Sequence, residues 1–178
     1  MKSGLQLGVN PNAVREENDF YATNPHALKI FMNDLRNIGL NNKVWECSCG
    51  KGHLSEVLKN EGYKIVSSDL INRGYGTGGI DFLQCSKQWD GDILTNPPFK
   101  LAEKFVEKAM ELLIDGNKLI LFLKVQFLES KSRKELFAKY PPKYVYVNSE
   151  RQQCCKDADF EKYTATTQCY CWYVWEKR

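Results

Sequence analysis

The run Asn96-Pro97-Pro98-Phe99 combines residue types that could grip an exocyclic amine. An Asn carboxamide oxygen and the carbonyl of Pro97 offer two acceptors to an NH2 group, and consecutive prolines lack N–H groups and fix φ, so the carbonyls are held on a stiff turn. Phe99 adds a flat apolar face. Because the run follows the apolar segment 92–95, it could hold a planar heterocycle, as enzymes that modify flipped bases do. The alternative is a buried strand that ends at prolines.

A second chemical motif lies upstream, where an apolar strand start leads into a glycine loop. Glu46 is followed by Gly50 and Gly52, and the segment from His53 to Asn60 has a helical pattern. Glycines in such a loop let a ligand approach the backbone, and the helix that follows presents unpaired N–H groups. Two glycines without the third of the dinucleotide fingerprint are a weak signal by themselves.

Two acidic positions continue the same pattern. Asp69 ends the next apolar strand, Tyr63–Ser68, about twenty residues after the glycine loop, which is where nucleotide-binding α/β folds hold ribose hydroxyls. A glycine-rich turn then closes on Asp81-Phe82. An Asp at such a place is also a common helix cap or turn former, so both positions have a structural alternative.

In this order the motifs resemble the class I S-adenosylmethionine-dependent methyltransferases, and specifically the group that methylates adenine N6 in DNA. The chain is similar in particular to small phage-borne members. The likeness rests on the joint occurrence of the glycine loop and the Asn-Pro-Pro-Phe turn at the expected separation. Further similar stretches are Asp19–Pro25, Arg73–Gly76 and Trp172–Glu176, so the likeness extends from about Asp19 to Lys177.

The resemblance implies S-adenosyl-L-methionine as the cofactor. Gly50 and Gly52 would lie against its amino-acid half, and Glu46 would orient the loop or the ammonium group. Asp69 would bind the ribose hydroxyls of the cofactor, and Asp81 would accept a hydrogen bond from the amino group of the cofactor's adenine. The other implied cofactor contacts are Phe82 or its backbone at the ring edge, Tyr21 and Thr23 closing over the methionine carboxylate, and Asn96.

On the acceptor side, the resemblance implies that the turn itself is catalytic. Hydrogen bonds to the Asn96 side chain and the Pro97 carbonyl would pull the amine out of conjugation, with Pro98 stiffening the turn. Phe99 would stack on the extruded base. DNA is the implied partner.

Two regions are candidates for contact with that DNA. Lys100 sits beside the turn, and the polar segment Ser149–Thr167 carries three cations, Arg151, Lys156 and Lys162. A surface loop without such a role is the alternative for this segment. Only one helix fits between Phe99 and the strand that begins at Lys118, so a separate target-recognition domain is expected to be absent.

Length, charge and composition limit the classes of function that are possible. A chain of 178 residues with a net charge of +3 fits one domain and permits a nucleic-acid partner without demanding it. No signal peptide or membrane-length apolar run is visible, which predicts a cytoplasmic protein. The seven cysteines lack the two-residue gap of a zinc knuckle and are expected to be reduced, so no metal is expected.

The chemical motifs require elements that bring them together. Apolar residues recur at helical spacing from about Pro25 and again after Phe99, and apolar runs at Leu119–Val125, Tyr144–Val147 and Gln168–Trp175 predict strands. This alternation predicts an α/β chain with a mostly parallel central sheet, helices on both faces and an antiparallel edge hairpin. The resemblance adds that the fold is Rossmann-like.

The domain organisation follows from the same pattern. The polar, turn-rich residues 1–18 are expected to be a loose segment, and residues 19–178 a single methyltransferase domain. The segment Ser130–Tyr140 reads as a short basic helix that ends at Pro141.

Three classes of function stay open. The leading one is a DNA adenine-N6 methyltransferase. The second is methylation of another planar amine, in an RNA base or a protein glutamine, because the turn reads the amine more than the polymer. The third is a cofactor-binding protein or subunit without turnover. The motifs leave open the target sequence, the strand preference, the oligomeric state and the need for a nuclease or specificity partner.

Overall fold

The fold is organised around a six-stranded β-sheet. The computed structural model describes residues 21–152, 154–156, 160 and 168–178. Residues 1–18, expected to be a loose segment, lie outside this part of the chain, as do Asp19 and Phe20. In chain order the strands and helices are β1 (Tyr21–Thr23), α1 (Pro25–Asn37), β2 (Lys43–Glu46), α2 (His53–Asn60), β3 (Lys64–Ser67), β4 (Asp92–Thr95), α3 (Ala102–Leu112), β5 (Lys118–Lys124), α4 (Lys134–Lys139), β6 (Tyr144–Val147), β7 (Cys154–Lys156) and β8 (Tyr170–Glu176).

The strand order in this sheet is β3-β2-β4-β5-β8-β6. β2 pairs in parallel with β3 and β4, and β4 pairs in parallel with β5. β8 runs antiparallel to both β5 and β6. The predicted α/β class, with a mostly parallel sheet and an antiparallel edge, is confirmed. The edge strand is β6, and β8 is inserted between it and β5.

The last aromatic run of the chain forms strand β8, and its apolar residues do not alternate with polar ones. All of Cys171–Trp175 is buried, because both faces of the sheet are covered. Trp172 stacks on Phe31 of α1, with ring centroids 5.1 Å apart. Trp175 belongs to the core on the opposite face, with Phe105 of α3. Successive side chains of a strand point to opposite faces, so this one strand joins two cores.

Asn24 and Pro25 fix the start of helix α1. The Asn24 side chain accepts a hydrogen bond from the His26 backbone N–H at 3.0 Å, and Pro25 occupies the first helical position. The buried face of the helix packs against the sheet, which fixes β1 directly before it.

In the described ranges, none of the helices has the length and apolar character needed to cross a bilayer.

A small antiparallel sheet of β1 and β7 is an element that the sequence pattern does not indicate. Tyr21 pairs with Lys156, and Thr23 pairs with Cys154 at a separation of 131 positions. Each strand has three residues, too few to show a periodic signal. Part of the polar segment interpreted as a loop is therefore a strand.

The predicted helix at Ser130–Tyr140 is shorter than expected. Ser130 is extended, with φ −105° and ψ 128°, and a 3-10 turn at Lys131–Arg133 precedes α4. The Arg133 side chain attaches this segment to two neighbouring parts of the chain. Its Nε donates to Glu103 of α3 at 2.8 Å and its Nη1 donates to the Phe127 carbonyl at 3.0 Å, which joins the segment to the body of the protein.

Candidate active site

A cavity of about 610 Å³ opens at the carboxyl ends of β2, β4 and β5. Parallel α/β sheets bind ligands at this edge, and the volume lies within the range of roughly 300–1,000 Å³ usual for such pockets. All four predicted catalytic residues line the cavity. So do the predicted cofactor residues other than Gly52, which are Tyr21, Thr23, Glu46, Gly50, Asp69, Asp81, Phe82 and Asn96.

Asp69 ties the glycine loop to the turn that follows β3. Its Oδ2 accepts from the Gly50 N–H at 2.8 Å. Its Oδ1 accepts from the Ile71 N–H at 2.9 Å and from Arg73 Nη1 at 3.1 Å. A carboxylate offers about four acceptor sites, so room for about one further hydrogen bond remains. The expectation that Asp69 takes the ribose hydroxyls stays a prediction, and in this structure protein donors use three of the acceptor sites of its carboxylate.

A residue with a side chain does not fit at Gly52, for a structural reason that the glycine spacing does not indicate. Its φ is +81°, and a Cβ there would lie 2.4 Å from the ring of Tyr75. The Tyr75 hydroxyl donates to Glu56 and accepts from Lys59 Nζ at 2.7 Å, so the ring is held against α2. Gly52 does not line the cavity. The contact of Gly52 with the cofactor stays a prediction, and the Tyr75 ring gives this position a second reason to be glycine.

Glu46 is a buried carboxyl on the cavity wall. Only 2% of the residue is exposed, and this burial raises the pKa of Glu46 to about 8. The Ser55 hydroxyl donates to Glu46 Oε2, and Ser55 Oγ lies 2.6 Å from Ser67 Oγ. None of the described Lys, Arg or His side chains makes an ion pair with Glu46. A cationic ligand group beside it would favour the ionised form.

Asp81 and Phe82 both line the cavity, and the Phe82 ring also belongs to the hydrophobic core. Asp81 Oδ1 accepts from the Leu83 N–H at 3.0 Å and so caps a 3-10 turn, which leaves Oδ2 as a further acceptor. The Phe82 ring packs at 4.9 Å from Phe105 and 5.3 Å from Trp45, measured between centroids. Since Phe82 is 2% exposed, its side chain serves mainly the core.

The carboxamide of Asn96 is held in one orientation. Its Nδ2 donates to Thr23 Oγ1 at 2.9 Å, to the Tyr21 carbonyl at 3.3 Å and to Cys154 Sγ at 3.5 Å. A carbonyl oxygen only accepts, so the contact with Tyr21 places the NH2 group on this side. Asn96 Oδ1 is thereby presented as an acceptor. The small β1–β7 sheet supplies all three partners.

The rest of the turn leaves a second acceptor beside Asn96. The Pro98 carbonyl accepts from the Leu101 N–H at 2.8 Å, whereas no backbone N–H of the described residues donates to the Pro97 carbonyl. The Phe99 ring lies edge-on to Phe127, with centroids 6.3 Å apart, and is half-buried at the cavity. Asn96, Pro97 and Phe99, which carry an amide oxygen, a carbonyl oxygen and an aromatic ring, therefore all line one cavity.

The predicted DNA contacts fall in different places. Lys100 is exposed and lines the cavity. Arg151 is also exposed but is not among the lining residues, and the Lys156 backbone pairs with Tyr21 in the small sheet. Lys162 lies outside the described residues.

Several cavity residues were missed by the sequence interpretation. They include Arg73, Lys124, Cys154, Gln168 and Tyr170. The only local signal for Lys124 was its position at the end of a long apolar run. In the described ranges there is no group of three or more His, Cys, Asp or Glu that could hold a metal ion.

The chain is similar to known proteins in structure. No protein-family model and no curated protein sequence matches the chain. A candidate hemolysin from Streptococcus thermophilus has a TM-score of 0.60 at 11% identity, over 85% of this chain and 66% of that chain. An S-adenosylmethionine-dependent O-methyltransferase from Thermotoga maritima has a TM-score of 0.54 at 13% identity, over 84% and 64%. Magnesium protoporphyrin IX methyltransferase from Synechocystis, solved with bound S-adenosylmethionine, has a TM-score of 0.54 at 15% identity, over 86% and 78%.

At these identities the likeness is one of fold. The chain spans slightly under two thirds of the hemolysin and of the Thermotoga maritima enzyme. The cavity described above lies at the carboxyl edge of the parallel part of the sheet. The chain has the Rossmann-like fold of the class I S-adenosylmethionine-dependent methyltransferases.

Proposed function

We propose that this protein transfers a methyl group from S-adenosylmethionine to the N6 amino group of adenine in DNA. The observation that carries the proposal is the fixed carboxamide of Asn96. Its NH2 group is held by β1 and β7, so Oδ1 is an acceptor at the same cavity that contains the glycine loop, Asp69 and Asp81. Fold and acceptor site together favour methyl transfer to an amine.

The residues on the other side of the cavity fit the proposed cofactor. Gly50 presents backbone with φ +54° to the cavity, and Asp81 Oδ2 is suited to an exocyclic amino group. Glu46 is a buried carboxyl without an ion-pair partner among the described residues, which suits the ammonium group of a bound amino acid. When bound, S-adenosylmethionine supplies a methyl group on a sulfonium, which is an electrophile.

The residues of the turn hold the acceptor amine. Asn96 Oδ1 and the Pro97 carbonyl each accept one N–H of the amine, which draws its lone pair out of conjugation with the ring. Neither oxygen is a base at neutral pH, so the site positions the amine and does not deprotonate it. The nitrogen–methyl bond would form as the methyl–sulfur bond breaks, and the methylated nitrogen, which is then positively charged, would lose its proton to solvent. Positioning of this kind is worth several kcal/mol, up to roughly 10, in well-oriented reactions. Phe99 offers a face for the base.

Adenine in DNA is proposed over the alternatives because of the Asn-Pro-Pro-Phe turn. This turn, together with the glycine loop, resembles that of the DNA adenine-N6 enzymes, and an aromatic ring follows directly, as stacking on a flipped base requires. An RNA base or a protein glutamine amide presents the same kind of amine. A cofactor-binding protein without turnover would keep the cavity and transfer nothing.

Labelling of separate substrate pools tests the proposal. The protein is incubated with radiolabelled S-adenosylmethionine and, in parallel, with unmethylated DNA, RNA and protein. We expect label in DNA, and digestion to nucleosides should place it in N6-methyladenine. Label in RNA or protein alone, or N4-methylcytosine as the only DNA product, contradicts the proposal. Cofactor binding by calorimetry without transfer to any pool would favour a binding protein.

A further inference from the structure

Charged residues are distributed unevenly around the cavity. The acids Glu46, Asp69 and Asp81 lie on the side of the glycine loop, where Arg73 is paired with Asp69 at 3.1 Å. The side that holds Asn96 and Phe99 has two lysines, Lys100 and Lys124, and no acidic lining residue among those described. The acceptor side is therefore suited to a ligand that carries negative charge next to a planar group.

Lys124 is the more constrained of these two lysines. It is the last residue of β5, is half-buried, and pairs through its backbone with Tyr170 of β8. Its Nζ lies 5.4 Å from the centroid of the Phe99 ring. No carboxylate in the described part of the chain lies within ion-pair distance of that Nζ. The ammonium group is therefore open to a charge-assisted hydrogen bond to an anionic ligand in the cavity.

Arg133 is also near Phe99 but is already satisfied. Its guanidinium carbon lies 5.6 Å from the Phe99 ring centroid and 4.6 Å from that of Phe127. The same guanidinium donates to Glu103 and to the Phe127 carbonyl, and 14% of the side chain is exposed. Arg133 therefore supports the aromatic pair, and its charge is balanced by Glu103. Of Arg133 and Lys124, the two described cations that lie over the Phe99 ring, Lys124 is the one without a carboxylate partner in the described residues.

We propose that Lys124 binds a backbone phosphate of the DNA strand that carries the acceptor base. The inference rests on the proposed function and extends it by naming a substrate-binding residue. In a nucleotide a phosphate is attached through the sugar to the base, so a base against Phe99 brings an anion to the same end of the cavity. A glutamine side chain in a protein brings no such anion. The lysine thus favours a polynucleotide over a protein as the substrate.

Salt-dependent binding of DNA by matched variants tests this role. Fluorescence anisotropy measures binding of a single-stranded, adenine-containing oligonucleotide in the presence of S-adenosylhomocysteine, at several salt concentrations. Lys124→Gln should weaken binding about fivefold to tenfold and reduce the slope of log K against log salt by about 0.7, the value for one contact with a single strand. Lys124→Arg should keep most of the slope. Lys29→Gln, at an exposed position of α1, serves as the matched control and should behave as the wild type.

A kinetic comparison separates phosphate binding from a general effect on the fold. With the oligonucleotide as substrate, Lys124→Gln should raise KM more than it lowers kcat, and cofactor affinity measured by calorimetry should not change. An unchanged salt slope in Lys124→Gln overturns the inference. If the wild type still methylates DNA in that case, the proposed function stands without it. If the wild type binds the cofactor but neither binds nor methylates DNA, both the inference and the proposed DNA substrate are overturned.

Discussion

Thr23 Oγ1 lies 2.9 Å from Asn96 Nδ2 and joins two residues that are 73 positions apart in the chain. Thr23 is buried in β1, whereas Asn96 follows β4 at the carboxyl edge of the main sheet. The contact gives the small sheet of β1 and β7 a role, because it holds the carboxamide with its oxygen available as an acceptor. The sequence interpretation had placed Thr23 at the methionine carboxylate of the cofactor. That role stays a prediction, and in this structure the Thr23 hydroxyl contacts Asn96.

Thr23→Val should reduce turnover and leave cofactor affinity unchanged. Valine keeps the shape of threonine but removes the hydroxyl that accepts from Asn96, and one hydrogen bond contributes about 0.5–1.5 kcal/mol, equivalent to a loss of roughly twofold to tenfold. Methyl-transfer kinetics and calorimetric titration measure the two quantities. Thr23→Ser keeps a hydroxyl and is the control. A variant with weaker cofactor binding and normal kcat would instead place Thr23 at the cofactor.

Gly52→Ala should destabilise the protein by roughly 1–3 kcal/mol, because φ is positive and the Tyr75 ring must move away from the new Cβ and from its contacts with Glu56 and Lys59. Gly39→Ala is a matched control. Gly39 has φ +70° with no atom within 4 Å of its Cβ position, so it should lose only about 1 kcal/mol from backbone strain. Denaturant unfolding measures both losses. Equal losses in the two variants would show that the Tyr75 ring does not restrict Gly52.

Asp69→Ala should both destabilise the protein and weaken cofactor binding. The change leaves the Gly50 N–H and the Arg73 guanidinium without their carboxylate, and breaking a buried pair of this kind costs roughly 3 kcal/mol. The glycine loop then loses its attachment to the turn after β3. Denaturant unfolding and calorimetry measure the two effects. Normal stability in Asp69→Ala would contradict the bridging role that the hydrogen bonds indicate.

Cofactor binding should release a proton from Glu46. In the free protein burial holds the pKa of Glu46 at about 8, so the carboxyl is mostly protonated at pH 7. An ammonium group beside it lowers that pKa, which means that the ionisation of Glu46 raises the affinity as the pH rises toward about 8. Calorimetry at pH 7 in buffers of different ionisation enthalpy counts the protons released.

Glu46→Gln is the control for that experiment. The variant cannot ionise at this position, whereas the amine of the cofactor titrates with both proteins, so the difference between them isolates Glu46. We expect less proton release with Glu46→Gln. The same release from both proteins would place the ammonium group elsewhere.

The sequence predicted those parts of the fold that have a local signal. The helix His53–Asn60 and the strand Tyr144–Val147 were identified with their observed bounds, because each has an apolar pattern and a clear end. The β1–β7 sheet could not be predicted, since two strands of three residues gain their stability from pairing across most of the chain. The helix predicted from Ser130 begins later because Ser130 is extended.

The candidate site was predicted to a similar extent. The positions of Glu46, Gly50, Asp69, Asp81 and Asn96 around one cavity follow from parallel strands that end at one edge of the sheet. Their partners do not follow from spacing. The bond between Thr23 and Asn96 and the ring of Tyr75 over Gly52 depend on side chains that tertiary folding brings together.

One measurement directly tests whether Asn96 binds the amino group of the acceptor adenine. Unmethylated DNA is incubated with S-adenosylmethionine and either the wild type or Asn96→Ala, and the digested nucleosides are quantified by mass spectrometry. The wild type should produce N6-methyladenine. Asn96→Ala should bind the cofactor normally and produce at least about 100-fold less, the order of loss seen when a transition-state hydrogen bond is removed. Equal amounts of N6-methyladenine from the two proteins, or none from the wild type, would contradict the account.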